Sequence, residues 1–313
     1  MKFSIRMGLA AAWVLLNLTS IAHAGQSDFS VMETSHANPA AVHIFKSYFD
    51  AKSRKEVEPT MAYFRKDMLA YADTTLGWVT PGYDAQRKIF EKFMPTWGNG
   101  KSYPTRVIGG PRSAIVEFTD TPELFGGELH IVGAVDFKDG KIYRWADYWD
   151  STGYDEAALQ KIIVPKDHFP STFREDEVGN NASPLMTKVA KGFQSALTKG
   201  DVAAAGDLLS YDAVYEDSVL HTQIIGRSAI QRYLSRILPV APFGQGSTLR
   251  HIVGGDQGGG FEWGAVASSP VRVGITSLTL DSSGHISRVA TVYDGRAIPP
   301  AEKEHLVTLS IDK

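Results

Sequence analysis

YEDSVLHTQIIGRSAI, residues 215–230, is a second version of YADTTLGWVTPGYDAQ, residues 71–86. Tyr71 and Asp73 return as Tyr215 and Asp217, and Gly82 and Ala85 as Gly226 and Ala229, each pair 144 residues apart. The spacing extends outward on both sides. Arg106, Ile108 and Gly110 match Arg250, Ile252 and Gly254, and Gly140, Ile142, Arg144 and Asp150 match Gly284, Ile286, Arg288 and Asp294. Upstream, Phe49 and Lys55 match Phe193 and Lys199. A repeat of this length reads as one folding unit built twice.

Each unit opens with a helix. Asn38-Pro39 and Ser183-Pro184 supply a capping residue followed by proline at the first helical position. Ala41, Ile44, Phe45, Tyr48 and Phe49 then fall on one helical face, as do Leu185, Val189, Phe193, Ala196 and Leu197. A short helix (56–65, 201–209), a strand (68–73, 212–217) and a third helix (84–94, 228–238) follow. Long strands rich in Val, Ile, Thr and aromatic residues come next, with Asp139-Gly140 and Ser283-Gly284 as turns before the last one. Helices first and antiparallel strands afterwards give an α+β class, twice over. The glycine-rich run 254–260 reads as a flexible loop between two strands. The resulting division is an N-terminal segment 25–37, a first domain 38–150, a connector 151–182, a second domain 183–295 and a tail 296–313.

Residues 1–24 read as an export signal. Lys2 and Arg6 precede an apolar run from Met7 to Leu18 that ends in Ala22-His23-Ala24, which places cleavage before Gly25. That run is shorter than the roughly 20 residues of a membrane-spanning helix, so the expectation is an exported protein, periplasmic or extracellular, with no membrane span. The chain has no cysteine, which excludes disulfides, thiol catalysis and a lipid-modified cysteine. Its 32 basic and 35 acidic residues leave a formal charge of −3 with no dense basic run, so nucleic acid is not an expected partner. The histidines show no metal-ligand spacing, and neither a metal nor a cofactor is expected.

The order helix pair, strand with an acidic residue, helix, curved run of strands resembles the nuclear-transport-factor-2-like superfamily, which includes ketosteroid isomerases, limonene-epoxide hydrolases and SnoaL-like polyketide cyclases. Tyr215-Glu216-Asp217 before Gly226-Arg227-Ser228-Ala229-Ile230 resembles the general-base strand and following helix of the isomerases. Trp145-Ala146-Asp147-Tyr148-Trp149-Asp150 resembles the last strand of the epoxide hydrolases. The resemblance implies two tandem cone-shaped domains, each of helices packed on a curved antiparallel sheet, and paired as an internal pseudo-dimer.

On a strand, alternate residues share a face, so Tyr71 points with Asp73, and Tyr215 with Asp217. By resemblance those faces line the cones, and a carboxylate there would have the raised pKa that acid–base chemistry needs. The last strand of the first domain aligns Tyr143, Trp145, Asp147 and Trp149, whereas the second domain has Ser287, Val289, Thr291 and Tyr293. The expected catalytic set is therefore Asp73, Asp147 and Tyr71, with Asp217 and Tyr215 as second-domain candidates. Tyr48, Trp145, Trp149, His130 and Glu117 are candidate substrate contacts. Phe49 and Phe193 fall where the steroid isomerases carry an oxyanion-holding tyrosine, so steroid isomerisation would need Tyr48 or His130 to substitute.

Three readings follow. The first is a cofactor-independent isomerase, cyclase, lyase or hydrolase acting on a small apolar oxygenated molecule. The second is a carrier of a hydrophobic ligand, with the carboxylates as satisfied core groups. The third is a structural duplication with filled cones.

Overall fold

The computed structural model describes residues 32–312, and the signal and its cleavage point lie outside them. The first half runs α1 (Pro39–Ser53), α2 (Val57–Met61), β1 (Ala70–Asp73), β2 (Trp78–Pro81), α3 (Gly82–Phe93), β3 (Ser102–Gly109), β4 (Ser113–Asp120), α4 (Pro122–Phe125), β5 (Leu129–Lys138) and β6 (Lys141–Tyr148). A turn of helix, α5 (Glu156–Leu159), lies in the connecting segment. The second half repeats the order as α6 (Pro184–Lys199), α7 (Val202–Asp207), β7 (Leu209–Asp217), β8 (Thr222–Ile225), α8 (Arg227–Ile237), β9 (Thr248–Gly255), β10 (Gly258–Gly264), β11 (Val273–Leu280) and β12 (Ile286–Tyr293), with α9 (Pro300–Thr308) after it. Among the described residues no helix is long and apolar enough to cross a membrane.

Each half folds its strands into a six-stranded sheet, β2-β1-β6-β5-β4-β3 and β8-β7-β12-β11-β10-β9. The sheets are antiparallel except where the first strand runs parallel to the last, β1 beside β6 and β7 beside β12. Thr105 in β3 and Arg250 in β9 are each skipped in the pairing with the neighbouring strand and so mark bulges, and a bulge bends the strand that carries it. The curved sheets wrap their helices, and α1 lies against β3 with Ala41, Ile44, Phe45, Tyr48 and Phe49 buried. Asn38 accepts from Ala40 N–H and Ser183 from Met186 N–H, the capping bonds that start α1 and α6.

The repeat does not keep one spacing. Asp73 and Asp217 hold corresponding places beside β6 and β12, which preserves 144. The cap amides of Asn38 and Ser183, however, donate to Gly109 and Gly254 carbonyls, one residue further apart. In register Tyr48 therefore corresponds to Phe193, Lys52 to Leu197, Arg106 to His251 and Glu117 to Glu262. The matches Phe49/Phe193 and Arg106/Arg250 are thus off by one, which on a strand changes the face.

The glycine-rich run is also not a flexible loop. Its residues end β9 and begin β10 around the two-residue turn Asp256-Gln257. A Cβ on Gly255 would stand 2.9 Å from the Gly110 backbone of the first sheet, and one on Gly260 would stand 2.6 Å from the Thr276 carbonyl. Glycine is there because backbones approach closely.

The outer faces of the two sheets pack on each other through Ala72, Ile108, Ile115 and Ala146 from one and Val253, Ile275 and Val292 from the other. Polar contacts across this layer are reciprocal. Arg144 of β6 forms a two-pronged pair with Glu262 of β10 (2.7 and 2.8 Å), and Arg288 of β12 pairs with Glu117 of β4 (3.3 Å). Asp150 accepts from Gly295 N–H, while Asp294 accepts from Ser151 N–H. Each half thus meets the other through corresponding positions.

Arg144 and Glu262 have no exposed side-chain surface, whereas Arg288 and Glu117 are each 21% exposed. Replacing Glu262 by Ala is expected to cost about 3–5 kcal/mol, because a buried guanidinium loses its partner. Glu117→Ala should cost no more than about 1 kcal/mol. Urea unfolding of the two variants measures the difference, and equal losses would refute the ranking.

Candidate functional site

The interior of the first cone is hollow. A cavity of about 380 Å³ lies between the sheet and the helices, its walls formed mainly by Leu76, Ile89, Phe90, Phe93, Trp97, Leu124, Ile131 and Trp149. Tyr71 and Asp73 of β1 and Asp147 of β6 open onto it, as do Lys52 at the end of α1 and Asp120 at the end of β4. Asp73 and Asp147 sit opposite each other in the parallel β1–β6 pair, so both carboxyls rise from adjacent strands into one mostly apolar space.

Each carboxyl has its own donors. Asp147 accepts from the Tyr71 hydroxyl (2.6 Å) and from the indole N–H of Trp145. Asp73 accepts from the indole N–H of Trp149 (3.0 and 3.1 Å) and from Leu76 N–H (2.9 Å). Burial pushes Asp147 up to about 8, helped by the charge of Asp73 and opposed by the bonds from Tyr71 and Trp145. Burial likewise raises Asp73 to about 6 against the bonds from Leu76 and Trp149. Near pH 7 the site therefore holds one carboxylate and one carboxylic acid. Burial also raises the Tyr71 hydroxyl, which keeps it a proton donor.

The other candidates separate. Trp149 lines the cavity. Trp145 stands behind it, stacked on Tyr71 and packed among Phe45, Tyr48, Phe49 and Phe118, where its N–H orients Asp147. Tyr48 is fully buried in the same aromatic group, with a hydroxyl that finds no partner. His130 and Glu117 are not in the cavity. The His130 side chain is 76% exposed beside Glu128, and Glu117 faces the other sheet, where it meets Arg288. Alternation along β4 and β5 puts both on the wrong side.

The second cone is filled at the corresponding place. Rings of Tyr215, Tyr233, Phe243, Trp263 and Tyr293 meet with centroids 5.4–6.3 Å apart. Asp217 there accepts from Val219 N–H, Leu220 N–H and the Tyr293 hydroxyl, and burial raises it to about 7. It serves as a turn cap in an aromatic core. A larger groove of about 510 Å³ runs along α9, but its Arg296 is already bonded to Ser151, Tyr154 and Glu156.

Sequence reasoning missed Lys52, Asp120 and the part of the connector that walls the cavity. Lys52 continues the stripe 41-45-48-52 on the buried face of α1, a charge at an apolar position and thus a readable signal. The connector lies over the cavity because the Trp78 indole donates to Ile162 carbonyl (2.7 Å) and Val164 N–H donates to Leu76 carbonyl (2.9 Å). Only the folded chain brings these together.

Strand order, the parallel first-to-last pairing and the helices inside the curved sheet settle the fold. Each half is a cone-shaped α+β domain, the fold that the resemblance in the sequence implies. No family profile and no curated protein matches the chain. Among solved structures, a cystatin-like-fold protein from Silicibacter pomeroyi is similar at 20% identity, covering 41% of this chain and 85% of its own, with a TM-score of 0.34. A candidate ketosteroid isomerase from Kribbella flavida is similar at 20% identity, covering 46% and 92%, with a TM-score of 0.31. A nuclear-transport-factor-2-like protein of unknown function from Cytophaga hutchinsonii shares 10% identity over 35% and 89%, with a TM-score of 0.30.

Trp149→Phe removes the indole donor from both Asp73 oxygens and should raise the pKa of Asp73 above its value of about 6. Carboxyl carbon NMR titration reads the shift; an unmoved or lowered value would show that the indole does not stabilise the carboxylate.

Proposed function

We propose that the first domain, residues 38–150, is a cofactor-independent acid–base enzyme for a small apolar oxygenated molecule, working as an isomerase, cyclase, lyase or hydrolase. One observation carries this reading: two carboxyls at neighbouring strand positions open into one apolar cavity with their pKa values split to about 6 and about 8. A split of that kind assigns roles. Asp73, ionised at neutral pH, takes the proton from substrate or water. Asp147, protonated, delivers one to the departing or enolising oxygen, and Tyr71 orients it. Trp149 holds the base in place, and the apolar walls exclude competing water.

The second domain, residues 183–295, is read as its structural partner in an internal pseudo-dimer left by a duplication. The reciprocal contacts Asp150 to Gly295 and Asp294 to Ser151 support that reading, as does the filled interior around Asp217. We also read the protein as exported, so material recovered from the periplasm or medium should begin at Gly25 by mass spectrometry. An intact Met1 on the exported protein would contradict this.

Turnover can be sought with a panel of unsaturated ketones, hydroxyketones and epoxides. The rate should follow a bell-shaped pH profile, rising through about 6 as Asp73 ionises and falling through about 8 as Asp147 loses its proton. Asp73→Asn and Asp147→Asn should each lower kcat about 10²–10⁴-fold with little change in KM. Variants that bind a ligand as the parent does, with no turnover by any of the proteins, would instead favour a carrier.

A further inference from the structure

Lys52 has no part in that proton transfer, yet it is placed with unusual care. Among the described residues it is the one buried lysine, and both of its hydrogen bonds go to a single residue, Asp120, at 3.2 and 3.3 Å. Asp120 is buried as well, and its Oδ1 also accepts from the Ser102 hydroxyl. The rings of Phe49, Trp97 and Phe118 surround the ammonium, with centroids 5.2–5.9 Å from its nitrogen. An ammonium has three N–H directions, and Asp120 covers at most two of them. Lys52 lines the cavity, and so does Trp97, whose indole N–H is buried without a partner.

The second domain is an internal control for a purely structural role. In register, Leu197 stands where Lys52 does and Ala265 where Asp120 does, while the serine contact beneath is kept: Ser53 donates to Ser102 carbonyl, and Thr198 to Ser247 carbonyl. The same helix packs on the same sheet with apolar residues at both places, so the fold does not need the ion pair. A buried pair is weak evidence for stability in any case, because desolvation offsets much of its attraction. The charge has been kept in the domain that is hollow and is absent from the domain that is filled.

We propose that Lys52, backed by Asp120 and joined by the Trp97 indole N–H, is a subsite for a carbonyl oxygen of the ligand. Charge selects the ligand class. Asp120 already neutralises Lys52, and Asp73 adds a negative charge to the same cavity, so a carboxylate or phosphate would meet net repulsion. A neutral ketone meets two donors and no opposing charge. The inference rests on the cavity being the small-molecule site of the enzyme reading, and it adds the recognition handle: the substrate is an apolar ketone or enone gripped at its oxygen.

The test compares two probes of one shape, 2-acetylnaphthalene and 2-isopropenylnaphthalene, in calorimetric titrations of the full chain. The ketone should bind roughly tenfold or more tightly than the alkene. The double variant Lys52→Leu with Asp120→Ala copies the second domain and leaves no orphaned charge, and thermal unfolding checks that it folds. In it the preference should vanish while alkene affinity stays the same or rises. Equal binding of both probes by the parent protein, binding of neither, or a preference that survives in the double variant and disappears in Asp147→Asn would each overturn the assignment. Its fate is separable from that of the enzyme reading. A ketone preference that depends on Lys52 in a protein without turnover upholds the subsite alone, and turnover without the preference upholds the enzyme alone.

Discussion

Arg144 carries its charge between two sheets with no exposed surface, and the architecture follows from how that charge is met. Glu262 of the opposite sheet takes two of its N–H groups, and the Phe173 carbonyl takes a third. Tyr148 donates to the same glutamate, while Asp136 stands 3.7 Å from the guanidinium and also holds His251. The Asp136 carboxylate keeps His251 above the ordinary histidine range against the opposing effect of burial, so acid and base balance within the layer. A charge network this deep tolerates little sliding, because a shifted register would strand an ion among Ile108, Ile115, Val253 and Ile275. It fixes one arrangement of the two sheets where apolar contact alone would allow several.

Holding the sheets back to back has a consequence for the cones. Each sheet has one face committed to its twin and the other turned toward its own helices, so a site on a sheet face must lie inside a cone. What distinguishes the two interiors is a handful of positions. Trp145 and Asp147 of β6 correspond to Val289 and Thr291 of β12, and Lys52 and Asp120 to Leu197 and Ala265. The second interior then closes over with Phe243, Trp263 and Tyr293. Even the acid common to both follows this rule: a Trp149 indole partners Asp73 at the edge of a cavity, and a Tyr293 hydroxyl partners Asp217 within a packed core.

Much of this was legible before the chain was folded. Asn38-Pro39 and Ser183-Pro184 mark helix starts by local capping chemistry, and the alternation of Tyr71 with Asp73 and of Trp145, Asp147 and Trp149 assigns them to shared faces. Those signals are local, so the sequence carries them openly. The places where reading failed share a different cause. Glu117 alternates correctly within β4, but whether its face looks into the cone or toward the other sheet depends on which side the helices cover. His130 alternates with Leu129 and Ile131, which line the cavity, so its own side chain turns outward to solvent.

The sequence by itself determined the duplication, the order of the helices and long strands, and the faces shared by Tyr71 with Asp73 and by Trp145, Asp147 and Trp149, because capping, periodicity and strand alternation act over a few residues. Tertiary structure alone decided that the first cone is hollow and the second filled, that the glycines at 254–260 serve a backbone contact, and that Lys52 pairs with Asp120 at the cavity wall. Each of those depends on surfaces distant in the chain meeting at a particular depth, and the free energy of a buried charge or an empty volume exists only once they have met.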